Sequence, residues 1–441
     1  MNELLTGNLH RVWRKYLFAA LGSAIIQSIY TTADIIIVGQ YEGPNGAAAM
    51  AVMQPMWSFI MAVGLLFAVG GSVMLGVARG AKDTEGESFF SVTLLASAVA
   101  SALLVLLFRL YRFPLYRFFG ADEVLLPYVE SYAGWLAWFL PAFLMGQVLI
   151  FFLRNDGAPV LATIAVASCG ALNIFGDLLL VFGFDMGMEG AGIATVLCQV
   201  IADGIMCIHF FRKKCTLRLV WPKRFGRTLL TVFKTGFSPF ITDLSVFFTS
   251  ILFNNRIMHL SGATELAVYG TCSSIGVLVL SMSYGVGGAL QPIASACCGA
   301  KDFRRMKKVL QYALTSAALI AAIFLAAAEL LPAPVLRAYM DVTPEVLAVG
   351  PQILRIIALY FPFMALNITA SYYLQSVLCS DLSLTVSLMR GIAMPCLLLF
   401  TLPEIFGFSA IWWTTPLAEL LTAAAAFYLI RKQLKNTNKE N

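Results

Sequence analysis

Residues 16–38 read YLFAALGSAIIQSIYTTADIIIV. A helix crossing a bilayer needs about 20 apolar residues, and this stretch supplies them. Its one acid is Asp34, set between Ala33 and Ile35. His10, Arg11, Arg14 and Lys15 precede it. The apolar run is too long for a signal-peptide core, and no small-residue cleavage site follows. It therefore reads as a first membrane helix with its basic flank inside the cell.

The rest of the chain repeats that pattern. Of 441 residues, 59% are hydrophobic and 12% charged, and the mean hydropathy is +0.81. Soluble domains carry about 25% charged residues, so half that leaves too little charge for a water-facing surface. A soluble enzyme, a nucleic-acid binder and a disordered chain are excluded on this ground. Apolar segments fall near 16–38, 48–77, 89–110, 126–153, 159–182, 190–211, 232–254, 265–296, 309–331, 346–378, 383–402 and 408–430. These predict an all-α membrane protein of twelve transmembrane helices. Continuous apolar runs exclude a β-barrel, whose strands would alternate.

The net charge of +6 reflects topology rather than a nucleic-acid partner. With both termini cytoplasmic, the inside segments carry about 23 of the 30 basic residues and the outside loops about five. The largest inside cluster spans Arg212–Lys234, and a second holds Lys301, Arg304, Arg305, Lys307 and Lys308. Outside loops hold Glu42, Asp185, Glu189 and Glu404; Arg109, Arg112 and Arg117 are the exception. The nine cysteines are mostly embedded in apolar runs and form no CxxC pair. They read as packing residues, not disulfides or zinc ligands.

The basic linker divides the chain into an N-lobe (1–215), the linker (216–231) and a C-lobe (232–441) that ends in a short basic tail. Gly80-Ala81-Lys82-Asp83 recurs as Gly299-Ala300-Lys301-Asp302. Glu42-Gly43-Pro44 lies over Ser261-Gly262-Ala263, Pro141 over Pro362, and 187–199 over 407–419. All these pairs lie about 220 residues apart, the mark of an internal repeat. Each half has an even number of helices, so the two six-helix lobes are parallel repeats related by a pseudo-two-fold axis along the membrane normal.

The few polar residues placed in the membrane are the functional candidates. Charge there is costly and generally faces an interior or a wet cavity. Asp34 is the first. Asn173 and Asp177 share one face of the fifth helix at i, i+4. An amide and a carboxylate there can coordinate a cation or hold a proton, and Thr195 adds a hydroxyl oxygen. Hard cations such as Na⁺ take oxygen ligands of this kind. Asp203, Asp243, Arg355, Arg390 and Glu419 are weaker candidates, with Arg355 and Arg390 as internal counter-charges. His209 and His259 read as interfacial residues at helix ends. Gln54, Trp57, Met61, Asn254, Asn255 and Gln291 are candidate liners of a substrate cavity, where Met and aromatic side chains suit flat lipophilic cations.

No GxxxxGK[ST] loop, HExxH helix or GxSxG elbow occurs. The chain is thus expected not to be an enzyme, to hold no cofactor and to draw its energy from an ion gradient.

Together these features resemble the multidrug and toxic compound extrusion (MATE) family of prokaryotic antiporters. The resemblance rests on Ala33-Asp34-Ile-Ile-Ile-Val38-Gly39 with the small residues of 46–50, on Asn173-x-x-x-Asp177, on Gly190-Ala-Gly-Ile-Ala-Thr195, and on Gln291-Pro292 followed by Gly299-Ala300-Lys301. It implies two six-helix lobes forming a V around a central cavity. It implies a secondary antiporter exporting organic, often cationic, compounds in exchange for H⁺ or Na⁺. Carried residue by residue, it places cation coupling at Asp34, Asn173, Asp177 and Thr195. One branch of the family also uses acids in the seventh and tenth helices. Here Asp243 is shifted from the expected place and 346–378 holds no acid, which argues against that second site.

The expected partners are a small organic molecule and the lipid bilayer, for a monomer in the inner (plasma) membrane. A lipid-linked precursor flippase would need a strongly cationic cavity, for which Arg355 and Arg390 are the candidates. A membrane transferase would need a clustered His/Asp/Glu/Arg site, which three histidines and short loops do not offer.

Overall fold

A computed structural model describes residues 2–260, 263–339 and 343–437. Ser261, Gly262 and the terminal 438–441 lie outside the described residues, as does the side chain of His259. The described residues are almost wholly helical.

After a short helix at Asn2–Thr6, the first membrane helix begins at Leu9, earlier than its apolar run, because the Asn8 side chain accepts a hydrogen bond from the Arg11 amide and caps it. Helix then continues to Gly80, for 72 residues. At 1.5 Å per residue that is about 108 Å, against a hydrocarbon core of ~30 Å. The run is therefore two crossings, and it breaks at Gly43, whose φ of 67° and ψ of −152° are not helical. Only glycine takes that conformation without strain, and Pro44 restarts the helix behind it.

Single helices at Ser88–Leu110, Pro159–Gly183, Gly187–Phe211, Phe225–Ile257, Val268–Gly299, Phe303–Leu330, Pro344–Ser376, Ser380–Phe406 and Phe408–Lys435 are each long and apolar enough to cross. The predicted fourth helix is a pair, Leu126–Trp138 and Leu140–Asn155, bent by 58° where Pro141 interrupts the hydrogen-bond ladder. Counting the pair as one crossing and the long run as two makes twelve.

The backbone repeats as the sequence does. Non-glycine Lys82 and Lys301 share a left-handed φ of 59° and 56°. Gly157 (80°) is matched by Leu378 (62°), and Gly187 (54°) by Gly407 (82°). Every pair is again about 220 residues apart.

The chain forms two compact units. One is Met1–Asp243 with Ser295–Lys301, and the other Leu244–Ala294 with Asp302–Asn441. Within the first unit the repeated Gly-Ala-Lys-Asp motifs meet. A Cβ on Gly80 would lie 2.1 Å from the Ala296 carbonyl oxygen, and one on Gly299 would lie 1.9 Å from that of Val77. Both obstacles are backbone, so neither can step aside. Gly299→Ala should therefore force the two helix ends apart, at an overpacking cost of about 1–3 kcal/mol. A lowered melting temperature in detergent is expected; an unchanged one would mean that the contact yields freely.

The same unit ties the linker to its helix ends. Arg79 donates to Asp156 (2.8 Å) and Glu87 (2.7 Å). Asp156 also meets His209 Nε2 at 2.7 Å and accepts from the Thr216 amide (2.9 Å) and hydroxyl. His209 is thus buried rather than facing water. Asp156, His209 and Cys215 lie close enough to hold a metal ion. Both Asp156 oxygens are already taken, one by a guanidinium, so the cluster reads as a cross-link. Burial pushes the Asp156 carboxyl up, but Thr216, His209 and Arg79 outweigh it and hold the group below the usual carboxylate range. Its contribution to stability is full above about pH 4, where the unfolded carboxyl is charged too. It is lost as pH falls through the lower folded value. Melting curves taken from pH 7 to pH 3 should show a smaller acid loss for Asp156→Asn than for the parent chain.

Candidate functional site

Asp34, Asn173, Asp177 and Thr195 come from three crossings, the first, fifth and sixth, and the fold of the first unit brings them together. All four are buried. What joins them is a residue sequence reasoning missed, Tyr132, from the first arm of the bent fourth crossing. Its hydroxyl donates to Asp34 Oδ2 at 2.9 Å and lies 3.4 Å from Thr195 Oγ1. Asn173 Nδ2 donates to Thr195 Oγ1 at 3.3 Å. Since Tyr132 spends its proton on Asp34, Thr195 must donate to Tyr132. The donors therefore run in one direction, from Asn173 through Thr195 and Tyr132 to the carboxylate. A signal existed in the sequence, because a tyrosine buried in a membrane helix needs a partner for its hydroxyl. Nothing local named that partner, 98 residues away.

The remaining oxygens have no donor. Asp34 Oδ1, Asn173 Oδ1 and both oxygens of Asp177 are buried without a hydrogen-bond partner. Asp177 lies close enough to Asp34 for their charges to interact. Among the described residues no Lys, Arg or His pairs with either acid. Two carboxylates and an amide thus carry four buried oxygens that no donor meets. Such a set calls for protons on the carboxylates or for a hard cation among the oxygens. The residues fit both H⁺ and Na⁺. Directly after Asp177 the fifth crossing becomes a π-helical turn, Leu178–Gly183. Turns of that kind occur mostly within α-helices and are frequent at functional sites.

The second unit has a polar cluster of a different kind. Arg390, itself in a π-helical turn at Met389–Ala393, pairs with Glu419 at 2.7 Å. Both side chains are under a tenth exposed. Asn367 Nδ2 donates to Glu419 Oε2 at 2.6 Å and to its backbone carbonyl at 2.9 Å. Here the counter-charge is built in. Arg355 is instead half exposed, and its Nε donates to the Glu329 carbonyl at 3.2 Å.

The candidate cavity residues are divided between the two units. Gln54 is exposed, Trp57 packs edge-on against Phe143 with centroids 4.9 Å apart, and Met61 Sδ accepts from Gln147 at 3.3 Å, all in the first unit. In the second unit Asn254 and Asn255 are exposed, whereas Gln291 is fully buried. Asp243 is half-buried on the seventh crossing.

Residues 19–179 and 240–399 each match the model of the MatE family. The chain belongs to the MatE family. The family match starts and ends about 220 residues apart in the two halves, the same period as the motif repeat. This MatE chain is 22% identical to the multidrug export protein MepA of Staphylococcus saprophyticus subsp. saprophyticus, over 93% of its own length and 92% of that protein's. It is 24% identical to the protein of the same name from Staphylococcus aureus, over 93% and 91% of the two lengths. Its fold is similar to a solved structure described as the outward-facing conformation of a multidrug resistance MATE family transporter of the MOP superfamily. The TM-score is 0.91 at 21% identity, with 99% of this chain and 98% of that one covered. A MATE structure in a bent conformation matches with a TM-score of 0.90, 21% identity and the same coverage. The fold is that of the MATE transporters, twelve membrane helices in two lobes.

Proposed function

We propose that this MatE chain is a secondary antiporter that exports organic, lipophilic cationic compounds in exchange for H⁺ or Na⁺. The observation that carries the reading is the cluster of donorless, buried oxygens on Asp34, Asn173 and Asp177. An inward-moving cation supplies the charge this cluster lacks. Coupling requires that the cation bind one transport state more tightly than the other, since tight binding alone shifts nothing. Membership of the family and the names of its multidrug-exporting relatives support the choice of substrate class. Within the first unit, Gln54, Trp57 and Met61 would meet such a substrate; Asn254, Asn255 and Gln291 are the candidates of the second unit. We place the protein in the inner (plasma) membrane as a monomer with both termini cytoplasmic, which the Lys/Arg distribution supports.

The flippase reading loses its footing in the geometry. Arg390 is neutralised by Glu419, and Arg355 lies against Glu329, so neither leaves a free positive charge for an anionic precursor. The deciding experiment is efflux of a fluorescent organic cation from proteoliposomes, driven separately by a pH gradient and by a sodium gradient. Efflux under one of them is expected. A response to neither would remove the antiporter reading.

A further inference from the structure

Thr195, Gln199 and Asp203 follow one another at i, i+4 and i+8 on the sixth crossing, so they form a polar stripe on one helix face. The stripe starts at the Asp34–Asp177 cluster and ends about 12 Å further along the axis. Gln199 Nε2 donates to Asp203 Oδ1 at 2.9 Å. Opposite them the fourth crossing places Gly146. A Cβ there would lie 2.2 Å from Gln199 Nε2 and 2.8 Å from Asp203 Oδ1. The glycine is thus what gives this pair its room.

Among the described residues no cation forms an ion pair with Asp203, and its side chain is half-buried rather than sealed. Gly146 brings no charge to it, and the titratable group near it is Cys207, one turn further along the same helix. The repeat makes the contrast plain. The positions of Gly146 and Gln199 correspond to Asn367 and Glu419, where Arg390 closes the cluster with a fixed positive charge. The position of Asp203 corresponds to Ala423. At the position of Asp203 the first repeat has an acid where the second has alanine, and among the described residues no ion pair neutralises it.

We propose that Asp203, held by Gln199 in the gap at Gly146, is a second proton-carrying site, a station between the Asp34–Asp177 cluster and the far end of the sixth helix. A single carboxylate beside an amide is a poor cage for a metal ion, which takes several oxygens. It is well suited to a proton. The Gln199 amide donates N–H to the carboxylate; turned over, its carbonyl accepts from the carboxylic acid. The same neighbour therefore serves both forms as Asp203 gains a proton from the cluster side and releases it at the inner side. The inference rests on the antiporter reading.

The test is pH-gradient-driven efflux in proteoliposomes together with equilibrium binding of the same fluorescent cation. For Asp203→Asn the rate should fall about tenfold or more, with a flattened pH profile and unchanged binding, and Asp203→Glu should recover the rate. Parent-like rate and profile in Asp203→Asn would overturn the proposal. Should that variant fail to fold, the pH profile of Asp203→Glu decides: a displaced midpoint supports the station, and an undisplaced one overturns it. A parent protein driven by sodium alone would overturn the station and leave antiport standing. A parent driven by neither gradient would overturn both.

Discussion

Asp34→Asn is expected to lower gradient-driven efflux to the level of empty vesicles while leaving the protein folded. The amide keeps the shape of the carboxylate, and its oxygen still accepts from the Tyr132 hydroxyl that now donates at 2.9 Å. Removing one of two interacting buried charges relieves repulsion with Asp177, so no loss of stability is expected. What disappears is the ability to take up a proton or to ligate a cation with a full negative charge. An ion moves a conformational equilibrium only through its difference in affinity between the states. Moving it from 1:99 to 99:1 takes about 5.5 kcal/mol of such difference. A neutral amide cannot supply a term of that size. Dye efflux from everted vesicles, beside dye binding to the purified variant, separates lost coupling from lost folding. Parent-like efflux by Asp34→Asn would remove Asp34 from the coupling site.

The largest expected loss of stability is in the other polar cluster. Arg390→Met would leave Glu419 buried with Asn367 as its remaining partner. Breaking a buried ion pair from one side costs about 3–5 kcal/mol, because the abandoned charge has no water to return to. Whole domains are stable by only about 5–15 kcal/mol, so this single change should deplete folded protein. Arg390→Met combined with Glu419→Met removes both charges and replaces them with apolar groups of similar size. That double variant should regain most of the loss, since a buried pair exchanged for good packing is often near neutral. Melting temperatures of the parent, both single variants and the double variant in one detergent form the cycle. Single variants as stable as the parent would show that the pair contributes nothing. The cycle also bears on mechanism, because an acid held by a fixed guanidinium is poorly placed to exchange cations.

Much of the architecture could be read along the chain. Bilayer length, apolar continuity and the Lys/Arg pattern led to twelve crossings, and the duplicated Gly-Ala-Lys-Asp motif marked the repeat. These are local quantities: a segment is long and apolar whatever it packs against. The fourth helix shows the limit. Pro141 marked a place for bending, but not that the two arms would diverge by 58°. Nor could the sequence show that Asn8 would cap the first helix ahead of its apolar run. His209 stands at a helix end, as its place in the sequence suggested, but its partner Asp156, 53 residues away and shared with Thr216 of the linker, could not be read along the chain.

The candidate site divides in the same way. Asp34 and Asp177 stood out in the sequence because membrane charge is rare and costly, and Asn173 followed from helical spacing. Those inferences need only one helix at a time. Tyr132 bridging Asp34 and Thr195, Arg390 closing on Glu419, and Gly146 making room beside Asp203 each require knowing which helices touch and at what height. The sequence by itself determined the membrane class, the duplicated halves and the acids worth watching. Tertiary structure alone decided which acids are paired and which are left without a counter-charge, because a side chain's charge is balanced by what lies across a helix interface, and that neighbour lies far away in the chain.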